Sequence, residues 1–205
     1  YPLTYQWQFN GEDLLGATSS ELVFNPAGAT NTGIYSVRVT NIYGAVISSN
    51  ITLSVIMAAA TGDNTFAQTN VPQAATRLVS VACGAWHSLG LSADGTILAW
   101  GNDSSGQCDV PATLNNAVAI AAGGYHGLAV TAAGAVAAWG ANDCGQAAVP
   151  AGLTNAIGVA AGAWHSLALR ANGTVAGWGD NSFGQINVPT GLSNVVTLAA
   201  GGNHS

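Results

Sequence analysis

The sequence predicts an all-β chain in two parts: a short non-repetitive β region over residues 1–55 and an array of 39-residue β units over residues 62–205. Three observations carry this. Histidine, tryptophan, glutamine and proline recur in strict register through the second part. Asp94-Gly95 and Asn172-Gly173 stand between stretches in which large and small residues alternate. No stretch carries the 3.6-residue spacing of a long amphipathic helix.

The register is read first, because a missed repeat mis-assigns a whole fold. His87, His126, His165 and His204 are each 39 residues apart. The same interval separates Trp100, Trp139 and Trp178, then Gln107, Gln146 and Gln185, then Pro111, Pro150 and Pro189. Running the register backwards places GDNTFAQTNVP (62–72) in phase with GDNSFGQINVP (179–189), with Thr61 in the tryptophan position. The array therefore divides into a half-unit at 62–83, units at 84–122, 123–161 and 162–200, and the start of another at 201–205, about 3.7 units in all.

Each unit reads as a small antiparallel meander. Val79–Ala82 and its counterparts Val118–Ala121 and Ile157–Ala160 form one strand. A second runs from His87, with His87, Leu89 and Leu91 alternating against Ser88, Gly90 and Ser92. Asp-Gly, Asn-Gly or the weaker Ala133-Gly134 then turns the chain, since both turn residues take positive φ, and Thr96–Trp100 returns. Such a meander cannot cover both of its faces alone. Stacking neighbours covers them, with large residues on one parity and small ones on the other.

The signature GxxHSLxL…DGTxxAWGxNxxGQ resembles the regulator-of-chromosome-condensation repeat family in its short bacterial form. The Trp sits in Ala-Trp-Gly, not in the Trp-Asp of a WD repeat. The resemblance covers 62–205 and implies a β-propeller, usually of seven blades. Seven units of this length need about 273 residues, so an incomplete propeller, an open arc, is expected here, with further blades outside this stretch.

The first part differs. Tyr5-Gln6-Trp7 reads as a strand with Trp7 as a core residue. Asn31-Thr32-Gly33-Ile34-Tyr35-Ser36-Val37 resembles the D-x-G-x-Y-x-C corner of immunoglobulin domains, with Asn for Asp and Val for Cys. The resemblance implies that Tyr35 ties its hydroxyl to backbone, that Ser36–Asn41 and Ala45–Val55 are the last two strands, and that 1–55 is part of an immunoglobulin-like sandwich without its inter-sheet disulfide. Residues 56–61 read as a linker.

Composition excludes several function classes. Charged residues make up 6% of the chain, which has no lysine, three arginines (Arg38, Arg77, Arg170) and a net charge of −6. Nucleic-acid binding needs a basic face and is set aside. No apolar run reaches the roughly 18–20 residues of a membrane helix, so membrane insertion is not expected. Cys83, Cys108 and Cys144 have neither framework nor CxxC spacing and read as small, partly buried thiols.

The four histidines share parity with leucines and read as buried struts, their ring nitrogens bonded to backbone. No Asp, Glu or Cys recurs beside them to complete a metal set. Trp100, Trp139 and Trp178 read as blade core. In GNDSSGQ, GANDCGQ and GDNSFGQ the Asp and Asn residues shift position between units, so they suit turns rather than a calcium loop. No cofactor is implied, and neither paired carboxylates nor a G-x-S-x-G points to catalysis.

The binding candidates lie just before each histidine. Trp86, Tyr125, Trp164 and Asn203 occupy one repeat position and would place an arc of rings on a single face, where proteins or sugars stack. Asn102, Asp103, Asp143, Asp180 and Phe183 would form its polar rim. The reading is a non-catalytic binding module of a secreted or cell-surface modular protein, contacting protein or glycan. The alternatives are a secreted inhibitor of an extracellular enzyme, as the β-lactamase-inhibiting propellers of this repeat family imply, or a structural spacer beside a catalytic domain.

Overall fold

The computed structural model describes residues 2–25, 27–53, 58–75 and 77–205. They fall into two compact units, Tyr1–Met57 and Ala58–Ser205. Ser54 and Val55 of the expected last strand, and Ile56 and Met57 of the expected linker, lie outside the described residues.

In the first unit, β1 (Thr4–Phe9), β2 (Glu12–Asp13), β3 (Gly33–Asn41), β4 (Gly44–Ile47) and β5 (Ile51–Leu53) form one antiparallel sheet, in the order β2-β1-β3-β4 with β5 also on β3. The described residues thus give a single layer, and a facing second sheet is not among them. The expected last strand is broken: β4 and β5 are separate, and Ser48 accepts the Val37 amide through its hydroxyl, 3.0 Å, between them. The Tyr35 hydroxyl donates to the Asn31 carbonyl, 2.8 Å. Phe9 and Phe24 pack on the Tyr35 ring, centroids 5.0 and 5.5 Å away. Trp7 is half-buried rather than enclosed, its indole donating to the Ser19 carbonyl, 3.0 Å.

The second unit contains three three-stranded antiparallel sheets of one design. They are β6 (Leu78–Cys83), β7 (His87–Ser92) and β8 (Ile97–Gly101); β9 (Ala117–Ala122), β10 (His126–Thr131) and β11 (Val136–Gly140); and β12 (Ala156–Ala161), β13 (His165–Arg170) and β14 (Val175–Gly179). Each sheet begins six residues before the matching sequence unit, because the strand that ends at Cys83, Ala122 or Ala161 pairs with the strand that follows it. A register shift in each first strand leaves Val79, Val118 and Ile157 opposite no partner and exposed.

The middle strands are buried on both faces, which an alternating pattern alone would not require. The reason is stacking. Leu89 and Leu91 of the first sheet pack with Ala129 and Trp139 of the second, and Leu128 and Val130 of the second pack with Ala168 and Trp178 of the third. Large side chains thus point to the next sheet, and Ala129 or Ala168 receives the previous one, while a Cβ on Gly90, in the same position of the first sheet, would strike Leu78 and come tight against Trp100 of its own sheet. Leu89 and Leu128 are 0% exposed, and burial of each stabilises the stack by about 1.5–3 kcal/mol.

Residues 195–205 hold the contacts of a next unit without an assigned strand. The Val195 amide donates to Gly173 O at 3.1 Å, and the Ala163 amide to Gly202 O at 3.1 Å. All-β architecture and stacked three-stranded sheets fit an incomplete propeller. Among the described residues no helix is long and apolar enough to cross a membrane.

Candidate functional site

The aromatic positions are set by a two-residue turn between the first and second strands of each sheet. The Gly84 amide donates to His87 O at 2.9 Å, the Gly123 amide to His126 O at 2.8 Å, and the Gly162 amide to His165 O at 2.9 Å. Trp86, Tyr125 and Trp164 therefore stand at turn tips, all at one end of the sheets. Their own carbonyls hold the loop that leaves the third strand. Asn102, Ala141 and Asp180 donate their amides to Trp86 O, Tyr125 O and Trp164 O, each at 2.8 Å. Gly101, Gly140 and Gly179 make this approach, with φ of 111°, 90° and 96°. A Cβ there would sit 2.6 Å from the same three carbonyls, so only glycine fits.

The loops themselves are built by side chains. Gln68, Gln107, Gln146 and Gln185 each accept, through Oε1, the amide two residues before them, at 2.8–2.9 Å. Asn64, Asp103, Asn142 and Asn181 each accept the amide five residues on. Asp63, Asn102 and Asp180 accept Nε2 of Gln68, Gln107 and Gln185 at 3.0, 2.9 and 2.7 Å. The Asx residues therefore do not shift between units. They fill two fixed repeat positions, and the exceptions are Ala141 and Asp143. Ala141 has no oxygen to offer, and Gln146 Nε2 is buried without a partner.

The same glutamines link neighbouring sheets. Trp100, Trp139 and Trp178 donate Nε1 to the main-chain carbonyls of Gln68, Gln107 and Gln146, at 2.9, 3.0 and 2.8 Å. Trp139 and Trp178 are buried; Trp100 is half-buried. Ser88, Ser166 and Ser205 donate their hydroxyls to Gln68 O, Gln146 O and Gln185 O.

The histidines bond to these serines, not to backbone. His126 Nε2 lies 2.9 Å from Ser166 Oγ, and His165 Nε2 lies 2.9 Å from Ser205 Oγ. A carbonyl can only accept, so the Ser166 proton belongs to Gln146 O and His126 Nε2–H donates to Ser166. That direction is the reverse of what activates a serine nucleophile. His87 has no such partner, because position 127 is glycine, and both of its ring nitrogens are unpaired. His204 is exposed. Burial pushes His87 and His126 down to about 4, and moves His165 in the same direction. Among the described residues no three His, Cys, Asp or Glu side chains gather as a metal-binding group.

At the surface the rings form one continuous ladder. Phe66 meets Trp86 edge-on, centroids 5.5 Å apart; Trp86 Nε1 donates to the Tyr125 hydroxyl at 3.1 Å; Tyr125 stacks on Trp164 at 5.4 Å and 27°. All three turn-tip rings are half-buried. Sequence reasoning missed Phe66, although the 39-residue register equates it with Phe183. Phe183 is 73% exposed, and the residue at its Trp86-equivalent position is the exposed Asn203. Asn102, Asp103 and Asp180 are committed to loop building as acceptors, while Asp143 is exposed at its loop tip. Hydrogen bonds from Thr65 and Ser182 hold the Asp63 and Asp180 carboxyls below their ordinary range.

All three cysteines are free. Cys83 and Cys144 are exposed rather than partly buried. Cys83 ends a strand of the first sheet, and no sheet before it is among the described residues; Cys144 lies on a loop tip. Cys108 is half-buried, and burial with nearby Asp103 and Asp109 raises its thiol to about 11.

Comparison with known proteins agrees with this geometry. The model of the regulator of chromosome condensation (RCC1) repeat matches residues 78–107, 117–146 and 156–185, each match beginning at or beside the first strand of a sheet. No curated protein matches the chain. Among solved structures, yeast RCC1 (Prp20), crystallised with Kap60, is similar with a TM-score of 0.51 and 19% identity over 83% of this chain. The CRINKLY WD40 ectodomain of the Arabidopsis thaliana receptor kinase ACR4 is similar with a TM-score of 0.50 and 24% identity over 61% of this chain. The chain spans 50% and 44% of those two chains. Three stretches of the second unit therefore match the RCC1 repeat, and its stacked three-stranded sheets fit an RCC1-like β-propeller.

Proposed function

We propose that this chain is a non-catalytic protein-binding module whose contact surface is the turn-tip face of the propeller repeats. The observation that carries this is the ladder Phe66–Trp86–Tyr125–Trp164, four rings in sequential contact, three of them on turns held by the amides of residues 102, 141 and 180. Half-buried rings held by their neighbours offer contact area with little side-chain entropy left to lose. Yeast RCC1, which shares the fold, is seen bound to a protein, Kap60. Panning a random dodecapeptide phage library on the chain tests the reading. Enriched peptides should lose binding to a Trp86→Ala/Tyr125→Ala/Trp164→Ala variant that still shows the native urea transition. Peptides that bind that variant as tightly as the native chain would overturn it. A parallel glycan array that responds where the peptide library does not would replace protein by carbohydrate.

An extracellular or cell-surface setting belongs to the same proposal, supported by the receptor ectodomain built on this fold. Surface biotinylation of cells producing the full-length protein tests it: labelling only after lysis would place the protein inside.

A further inference from the structure

The charges of the second unit are sorted by strand end. Of its six carboxylates, Asp63, Asp103, Asp143 and Asp180 lie in the loops beneath the aromatic ladder, and Asp109 follows Gln107 in one of them. The proximity is direct: the Asp180 amide is bonded to the Trp164 carbonyl, and Asp103 follows Asn102, whose amide is bonded to the Trp86 carbonyl. The unit's only cations, Arg77 and Arg170, lie at the other end of the strands. The Arg77 carbonyl accepts the Ala93 amide beside Asp94, and Arg170 reaches Thr174 in the β13–β14 turn. No lysine exists to neutralise the aromatic end.

We infer that the aromatic face takes a cationic segment of a protein partner, with Arg or Lys side chains lying over Trp86, Tyr125 and Trp164 and flanked by the carboxylates of Asp63, Asp103, Asp143 and Asp180. The inference rests on the binding face proposed above and names its partner's chemistry. Two properties of the surface converge on a cation. Ring faces attract guanidinium and ammonium groups within about 6 Å of the centroid, Trp most strongly. A carboxylate-bearing surface without an opposing cation raises the local concentration of positive partners and repels negative ones. Neutral sugars gain nothing from the second property, and acidic peptides are opposed by it.

The repeat itself supplies a clean control. Asn64, Asn142 and Asn181 occupy the position of Asp103; Asn102 occupies that of Asp63 and Asp180; Ser104 and Ser182 occupy that of Asp143. An Asp63→Asn/Asp103→Asn/Asp143→Ser/Asp180→Asn variant removes four charges and keeps Oδ1 at positions 63, 103 and 180; the Gln Nε2 bonds that Asp63 and Asp180 accept through Oδ2 must move to Oδ1, as Asn102 already does when it accepts both the Ser104 amide and Gln107 Nε2.

The test is fluorescence anisotropy with labelled nonapeptides of Arg-Ser-Gly repeats and their Glu-Ser-Gly counterparts. The native chain should bind the Arg peptide at least about tenfold more tightly than the Glu peptide. The charge-neutral variant should lose about five- to tenfold of that affinity, as should raising NaCl from about 50 to 500 mM, where the screening length shortens from about 14 to 4 Å. Equal binding of the two peptides by the native chain, or undiminished Arg-peptide binding by the charge-neutral variant, overturns the cationic partner. If phage-selected neutral or acidic peptides then still depend on Trp86, Tyr125 and Trp164, the binding face stands and only its partner's charge was wrong. If the triple-alanine variant binds every selected peptide normally, the face itself falls.

Discussion

Replacing Ser166 by alanine tests the link that joins the sheets. Ser166 Oγ accepts His126 Nε2–H at 2.9 Å and donates to Gln146 O at 2.8 Å, and all three residues are 0% exposed. Without the hydroxyl, the His126 donor is left buried with no protein group to receive it, at about 1–3 kcal/mol. The Gln146 carbonyl keeps Trp178 Nε1 at 2.8 Å, so its loss is nearer the net worth of one bond, about 1 kcal/mol. The expected cost is about 2–4 kcal/mol. The assay is urea unfolding at pH 7 followed by tryptophan fluorescence, with the m-value checked for constancy. Ser88→Ala is the internal standard: Ser88 donates to Gln68 O, 3.0 Å, but receives no histidine, so about 1 kcal/mol is expected. Adding His126→Leu should cut the Ser166→Ala cost to about 1 kcal/mol, since no histidine donor is then stranded and only the bond to Gln146 O is lost. A Ser166→Ala cost at or below that of Ser88→Ala, with unchanged m, would refute the reasoning.

The remaining predictions follow from the same buried groups. His87 and His126 fall from an ordinary 6.5 to about 4 in the folded state, because burial penalises the charged ring. The unfolded chain therefore takes up protons first, so their stabilising contribution is complete above about pH 6.5 and declines as pH falls towards 4; urea midpoints at pH 7.5, 5.5 and 4.5 should drop in that order. Ala141→Asn should supply the oxygen that Gln146 Nε2 lacks, as Asn102 does for Gln107 at 2.9 Å. A gain of about 1 kcal/mol is expected, read as a higher urea midpoint, and a lower midpoint would show that the loop cannot accept the side chain.

The repeats were legible because each position answers to one local demand. Gly140 recurs where a Cβ would strike a carbonyl, Gly95 where the turn needs positive φ, although Asp94 before it keeps a negative φ where the Asp-Gly pair predicted both positive, and Leu89 and Leu128 where one sheet meets the next. Part of the candidate site was legible in the same register: Trp86, Tyr125 and Trp164 share a position, and the structure brings their rings together. Phe66 was missed because its partner, Trp86, is 20 residues away rather than one period. The Asx pattern was misread because Ala141 and Asp143 interrupt it.

The sequence by itself determined the all-β class, the 39-residue unit, the strand and turn positions within it and the sign of the charge. These rest on local sterics, alternation and counting, which need no partner across space. Only the tertiary structure decided that His126 donates to Ser166 and not to backbone, that His87 is stranded by Gly127, and that the first unit's described residues form one sheet. Those outcomes depend on which side chain from the next unit arrives within 3 Å, and a linear period equates positions without saying which of them touch.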